Sequence, residues 1–289
     1  MDPLAPLREL KHRAFVATKR AHSVRRRAAL GVTDALGRVR EVLGPPYRYF
    51  DGRYTRSFME RPDPPHLESA PCPRVIYAMW FGGPLPTTRS RSLDEIRRSN
   101  PDTPVVLITE ATVGEFLLPE HPLHPAFNKL AATHRSDHLR AYLMHFHGGG
   151  YTDLKPPRAT WDGVFRRLEE DRTILVAGYR EITSNYVSEH PRNLGSDLRR
   201  YYRFVMGPSA FIMRPRSVFT ASLYREQLRR LDYYEPALTD TPPEPYDLPH
   251  SYPLWWGELF PDIAQCLSLK FQNRIMFDDD IRPVLRNYR

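Results

Sequence analysis

The stretch Val75-Ile-Tyr-Ala-Met-Trp80-Phe81 is apolar throughout and ends in Gly82-Gly83-Pro84. A short apolar run closed by turn residues is typical of a buried strand. The sequence then predicts a helix over Ser92–Ser99 and a second buried strand over Val105–Thr109. Because this order is β-α-β, we expect a parallel pair of strands with a crossover helix, and hence an α/β domain.

A longer helix is predicted downstream, from Ala126 to His147. Its apolar residues follow helical spacing and would face the core; they are Leu139, Tyr142, Leu143 and Phe146. Three glycines, 148–150, are expected to stop the helix and turn the chain into a strand over Tyr151–Leu154. Further strands are predicted at Ile174–Ala177, Phe204–Met206 and Phe211–Met213.

The first part of the chain differs from the rest in charge. Residues 1–44 carry ten Lys or Arg and four acids, so this segment holds +6 of the total net charge of +8. One or two helices are predicted over Leu7–Leu43, followed by a proline-rich connector. The sequence therefore divides into a basic helical extension, residues 1–70, and a catalytic domain, residues 71–289.

The composition also limits the compartment and the partners. Two cysteines, Cys72 and Cys266, are expected to be ordinary thiols rather than part of a disulfide framework. No run of about 18 apolar residues is present, and the start of the chain lacks a signal-peptide pattern. We expect a cytoplasmic protein, or one at the inner face of a membrane. Because residues beyond 44 are nearly neutral, no nucleic-acid partner is expected there.

Charged residues surround the glycine stop. Asp137 and Arg140 are three positions apart on the predicted helix and point the same way, while Asp153 and Lys155 share one strand face. These groups should meet at the carboxyl end of a strand, where open α/β sheets bind ligands. A surface ion pair beside an ordinary hairpin is the alternative interpretation.

The spacing of these residues resembles a known family. Ser136-Asp137-His-Leu-Arg140 and Gly148-Gly149-Gly150-Tyr151-Thr-Asp153-Leu-Lys155 are similar to the S-D-x-x-R and G-G-x-Y-x-D-x-D signature of glycosyltransferases with a DXD sugar-binding motif. That group includes yeast mannosyltransferases, clostridial toxin glucosyltransferase domains and capsular polysaccharide synthesis proteins. Val75–Gly83 resembles the family's first strand. The likeness covers about 80 residues and implies a GT-A-type, Rossmann-like nucleotide-sugar-binding domain.

The resemblance implies roles for individual residues. Trp80 would stack on the nucleotide base, Asp137 and Arg140 would hold the donor sugar, and Tyr151 and Asp153 would reach the ribose or phosphates. With Gly82 and Ser136 these residues form the implied donor site. A core tryptophan is the alternative for Trp80. A late loop that closes over the donor would contain His250, Trp255 and Trp256.

Lys155 is the departure from the family pattern. It replaces the second DXD acid, and an ammonium cannot coordinate a cation. Two interpretations follow: a metal-independent enzyme in which Lys155 supplies positive charge, or an inactive site. A Mn²⁺ or Mg²⁺ cofactor with Asp153 as a ligand is thereby disfavoured. His134 and His138, four apart on a helix, do not complete a zinc motif.

The resemblance therefore implies a retaining transferase that moves a sugar from a nucleoside diphosphate to a glycan or other hydroxyl acceptor, in polysaccharide or glycoconjugate synthesis. Asp137, Arg140 and Lys155 are the predicted catalytic residues. A domain that binds a nucleotide or glycan without turnover is the alternative. Residues 1–44 are expected to lie on an anionic membrane or to pack on the domain, and a nucleic-acid arm is the third interpretation.

Overall fold

A computed structural model describes residues 31–64 (except 40 and 42), 70–240 and 252–285. Its centre is a six-stranded sheet made of β1 Ile76–Met79, β2 Val105–Ile108, β3 Gly149–Thr152, β4 Val176–Arg180, β5 Met206–Met213 and β6 Ile275–Phe277. The strand order is β2-β1-β3-β5-β4-β6. Five strands run in one direction and β5 runs against them. The sheet is therefore mixed and mostly parallel.

Helices cover both faces of the sheet. They are α1 Thr87–Ser99, α2 Ala132–Phe146, α3 Asp162–Glu170, α4 Arg192–Arg200, α5 Val218–Asp240 and α6 Pro261–Lys270. Successive strand residues point to opposite faces, so Tyr77 packs in the cluster that holds α2, α5 and α6, whereas Ile76 packs with α3. The predicted α/β class is confirmed, with α1 as the crossover between parallel β1 and β2.

Several boundaries differ from the sequence prediction. The long helix begins at Ala132 instead of Ala126, because Pro125–Lys129 forms a separate 3-10 helix that ends in extended backbone at Leu130. The strand predicted at Phe211–Met213 begins earlier, at Met206, and runs through Gly207 and Pro208 as β5, whereas Phe204 of the strand predicted at Phe204–Met206 ends a 3-10 helix, Tyr202–Phe204. Glycine and proline are uncommon inside strands, but here they lie inside a strand that pairs on both sides.

The third strand starts two residues earlier than predicted, at Gly149. A Cβ on Gly149 would lie 2.7 Å from Val75 Cγ1, and one on Gly150 would lie 2.8 Å from Trp161. Gly149 also has a φ of +100°. The glycines therefore let β3 approach its neighbours closely, and they do not act only as a stop. The strand ends at Thr152, and the Lys155 N–H donates to Asp153 O.

The described part of the N-terminal region contacts the sheet domain. Residues 31–39, 41 and 43 are helical, and we call them the N-terminal helix. Tyr47, Tyr54 and Met59 are buried in one cluster with residues of α4 and α6. The predicted helical segment before residue 31 lies outside the described residues, and the domain boundary near Pro71 stays a prediction.

The two cysteines are free thiols in different clusters, as expected: Cys72 packs with α3 and Cys266 with α4. Within the described ranges, no helix is both long and apolar enough to cross a bilayer.

Candidate active site

The topology gathers polar side chains at one edge of the sheet. Because β1, β2, β3, β4 and β6 are parallel, their carboxyl ends lie at the same edge. Trp80 follows β1, Asp153 follows β3 and Glu181 follows β4. The start of antiparallel β5 reaches the same edge, where Ser209 O accepts from the Asp153 N–H at 2.8 Å. This edge is where open α/β sheets bind ligands.

The α2 residues Asp137 and Arg140 form an ion pair below this edge. Their side chains are only 1% and 8% exposed, so the pair is not the surface pair that spacing alone allowed. The second carboxylate oxygen of Asp137, Oδ2, accepts no hydrogen bond from any residue that the structure describes. A buried acceptor without a donor is costly, so a hydrogen-bond donor from water or from a ligand would stabilise this oxygen.

The Arg140 guanidinium is held between two aromatic rings. Its Cζ lies 4.9 Å from the ring centroid of Tyr151 and 4.5 Å from that of Phe260. Nη1 donates to Pro208 O at 2.9 Å. Rings of this kind attract a cation and fix its plane. Arg140 is therefore a fixed positive group whose orientation depends on α2, β3, β5 and α6.

Asp153 joins this group to a second ion pair. Its Oδ1 accepts from the Tyr151 hydroxyl at 2.8 Å, and its Oδ2 accepts from Lys155 Nζ at 2.6 Å. Lys155 Nζ also donates to Ser209 Oγ at 3.0 Å. Burial acts to raise the pKa of Asp153, but Lys155 and Arg140 outweigh it and hold the pKa below the usual value. Asp153 is therefore an anion that Lys155 already neutralises.

Tyr151 links the two pairs. Burial, followed by the neighbouring Asp153 charge, raises the pKa of its hydroxyl. The hydroxyl consequently stays protonated and donates to Asp153. Its ring stacks on Phe211 of β5 at 5.3 Å. Tyr151 thus positions the Asp153 carboxylate.

Trp80 and Gly82 lie on the turn after β1. Trp80 is partly buried, packs with Ala78, Leu93 and Leu154, and donates from Nε1 to Gly83 O at 3.0 Å. Its contact with Leu154 places it beside the Asp153–Lys155 segment. Gly82 has a φ of +99°, and its N–H donates to Glu110 Oε1 at 2.8 Å. A side chain at this φ would be strained.

Ser136 is close to the same turn. Its Oγ lies 3.7 Å from Met79 Sδ at the end of β1. The hydroxyl therefore lies between α2 and the turn that carries Trp80.

The predicted late loop is only partly described. His250 lies outside the described residues. Trp255 and Trp256 are 69% and 53% exposed. The Trp255 carbonyl lies 3.0 Å from His134 Nε2, which ties this segment to the first turn of α2. No described contact joins either indole to Asp137, Arg140 or Lys155.

Two of the candidate metal ligands are engaged in ion pairs. Among the described residues, no group of three or more His, Cys, Asp or Glu side chains could hold one. Asp153 is engaged by Lys155, and Asp278, at the end of β6, is paired with Arg167. Two strands separate β3 from β6. His138 Nδ1 lies 2.8 Å from Gln227 Oε1, and burial lowers its pKa to about 4.

Several residues of this edge were missed by the sequence prediction. Ser209, Pro208 and Phe260 come from segments without a recognisable motif. Glu110 and Glu181 each follow a buried strand, a signal that could have found them. Glu181 is 4% exposed, and burial raises its pKa to about 8. It lies close to Tyr179, whose hydroxyl accepts from the Ser209 N–H at 3.4 Å.

A cavity of about 260 Å³ lies beside the N-terminal helix. It is lined by residues of the N-terminal helix, by Gly44–Pro46 and by residues 200–204. None of the predicted site residues contributes to it.

Comparison with known proteins found matches among solved structures. The chain matches no protein-family model and no curated protein. A solved structure described as "PaToxG Glycosyltransferase" is similar over 70% of this chain and 71% of its own, with a TM-score of 0.41 and 12% sequence identity.

Proposed function

We propose that this protein is a glycosyltransferase that moves a sugar from a nucleoside diphosphate sugar to a hydroxyl acceptor. The observation that carries the proposal is the meeting of the two sequence motifs at one sheet edge. Arg140 on α2, which pairs with Asp137, lies over the ring of Tyr151, and the Tyr151 hydroxyl donates to Asp153. The sheet with its parallel carboxyl ends suits a GT-A-type nucleotide-sugar domain.

The donor sugar would lie over the Asp137–Arg140 pair. Asp137 Oδ2, which lacks a donor among the described residues, would accept from a sugar hydroxyl. A carboxylate at this position would also favour the positive charge that develops on the sugar as the bond to the diphosphate breaks. Retention of the anomeric configuration is part of this proposal.

The leaving diphosphate would face Lys155 and Arg140. Lys155 is fixed by Asp153 and Ser209, so its ammonium needs no reorganisation when negative charge develops nearby. A fixed ammonium also fulfils the charge-balancing role of a divalent cation. We therefore propose catalysis without a metal, with glycan or glycoconjugate synthesis as the setting.

A second candidate function is binding without turnover. The observation that favours it is that Arg140 and Lys155 are both already paired with carboxylates. A donor diphosphate would compete with Asp153 for Lys155. Such competition would suit a nucleotide-binding domain in which no free cation assists bond breaking.

Thermal shift with a panel of nucleoside diphosphate sugars tests the binding part of the proposal. One donor should raise the melting temperature of the wild-type protein, because a ligand that binds only the folded state stabilises it. The shift should be lost in Asp137→Asn. Asp197→Asn is the matched control, since Asp197 belongs to a second S-D-x-x-R sequence but accepts hydrogen bonds from Arg53 and Tyr54. If no donor changed the melting temperature, both the transferase proposal and nucleotide binding without turnover would be contradicted.

A further inference from the structure

The N-terminal helix is oriented in an unusual way: its polar face contacts the domain and its apolar face contacts solvent. Val32, Leu36, Val39 and Leu43 are 60%, 65%, 55% and 80% exposed. Their spacing of four, three and four residues places them on one face of the helix. We call these four residues the apolar stripe. Surface helices normally bury such a face against the core.

Ion pairs explain the orientation. Glu41 pairs with Arg180 at 3.1 Å and with Arg203 at 2.8 Å, and Arg203 also pairs with Asp34. The Tyr202 hydroxyl donates to Thr33 O at 2.9 Å. Gly37 permits close approach, since a Cβ there would overlap the Tyr202 hydroxyl. These contacts fix the polar side inward, so the stripe cannot turn toward the domain without breaking them.

The charge around the stripe indicates what covers it. Both described acids of the segment, Asp34 and Glu41, are on the domain side and are held in ion pairs. The sequence just before the helix contains Arg25, Arg26 and Arg27, and residues 1–44 together carry a net charge of +6. A second copy of the chain would bring this positive charge against itself. An apolar face flanked by basic residues is instead the pattern of helices that lie on anionic lipid.

The sequence further upstream has the same spacing. Leu7, Leu10, Ala14, Ala17 and Ala21 are three or four positions apart. These residues lie outside the described ranges. The upstream spacing is consistent with a longer surface of the same character.

We propose that the apolar stripe docks on an anionic lipid surface, with the fixed polar side of the helix holding the sheet domain against that surface. This inference does not depend on the proposed transferase activity. The stripe inserts at the headgroup boundary, and the basic residues of the segment attract the anionic lipid. The ion pairs of Arg203 and Arg180 hold the N-terminal helix in a fixed position on the domain, so a helix bound to the lipid surface also orients the domain.

Vesicle co-sedimentation of the full chain tests the proposal. The wild-type protein should bind vesicles that contain phosphatidylserine, bind phosphatidylcholine vesicles much less, and lose binding as salt increases. Leu36→Gln with Leu43→Gln should weaken binding about tenfold or more, because two apolar side chains no longer insert. Tyr233→Gln is the control, since Tyr233 is 78% exposed on α5, outside the stripe.

Unchanged binding in the double variant would overturn the proposal, as would equal binding to both vesicle types. Sedimentation of the wild-type protein as a dimer and of the variant as a monomer would also overturn it in favour of a second copy. Circular dichroism checks that the variant is folded. Should the double variant unfold, Val39→Gln alone must still weaken binding severalfold.

Discussion

Lys155 Nζ lies 2.6 Å from Asp153 Oδ2, at the position where the resembled family has two acids. The ammonium is almost completely buried, with 6% of the side chain exposed. It therefore fixes Asp153 as a carboxylate and occupies the oxygen that would otherwise ligate a cation. The chemistry proposed for this edge depends on that pair.

Replacement of Lys155 should lower the affinity for the donor as well as the stability of the protein. In Lys155→Met, Asp153 keeps its charge without its ammonium, so the pKa of Asp153 should rise and the free energy of unfolding should fall by about 1–3 kcal/mol. Donor affinity should be lost as well. Lys270→Met is the matched control, because Lys270 is 7% exposed and pairs with Asp63 at 2.6 Å. Equal donor affinity in both variants, by calorimetry, would remove Lys155 from the site.

The Asp137–Arg140 pair should contribute to stability as well as to binding. Arg140→Ala would leave the Asp137 carboxylate buried and unpaired, and we expect a loss of about 3–5 kcal/mol in the free energy of unfolding. Asp137→Asn with Arg140→Gln removes both charges and should cost less than the sum of the single changes. Urea unfolding measures this double-mutant cycle. Additive costs would show that the two charges do not interact.

If Trp80 stacks on the nucleotide base, Trp80→Ala and Trp80→Phe should differ in their affinity for the nucleotide. Trp80→Ala should weaken nucleotide binding by about 1–3 kcal/mol, because the ring surface is lost. Trp80→Phe keeps a ring but loses the Nε1 donor to Gly83 O, and it should retain most of the affinity. Isothermal titration calorimetry separates the two. Unfolding of Trp80→Ala would favour a core tryptophan, and unchanged affinity in a folded variant would exclude stacking.

The raised pKa of Glu181 predicts a change in stability between about pH 4.5 and pH 8. Its pKa is about 8 in the folded protein, against an ordinary value of 4.5. Between these values the folded state binds the proton more tightly than the unfolded state, so stability falls as the pH rises, by up to about 1.4 kcal/mol per pH unit. Glu181→Gln should remove that fall, and its advantage over wild type should grow up to about pH 8.

Glu169→Gln is the control for this measurement. The hydrogen bond from Arg74 lowers the pKa of Glu169, so its contribution is present above the ordinary carboxyl pKa and is lost only in acid. Urea unfolding across the pH range compares the three proteins. Parallel curves for wild type and Glu181→Gln would show that Glu181 does not titrate with a raised pKa.

Local patterns predicted the parts of the site that are close in the sequence. The spacing of Asp137 and Arg140 fixed their common helix face, and the glycine stop before Tyr151 placed Asp153 at a strand end. Ser209 and Phe260 could not be predicted in this way. They reach the edge through the antiparallel pairing of β5 and the packing of α6, which no short sequence pattern specifies.

The N-terminal helix shows a second feature that short sequence patterns do not predict. The apolar spacing of Val32, Leu36 and Val39 indicates an amphipathic helix, and the usual expectation is that this face is buried. The structure turns it outward because Asp34 and Glu41 meet Arg203 and Arg180. Those partners are more than 130 residues away in the chain. Periodicity reveals a face, but not the direction in which it points.

The central claim is tested most directly by measuring the release of nucleoside diphosphate from a panel of nucleotide sugars by the full chain, in the presence of excess chelator. We expect the wild-type protein to turn over one donor, and we expect the chelator not to reduce this turnover. Asp137→Asn should lose the turnover, whereas the control Asp197→Asn should keep it. An enzyme that is inactive with chelator and restored by Mn²⁺ would contradict the role of Lys155. Binding of a donor without any release by the wild-type protein would contradict catalysis itself.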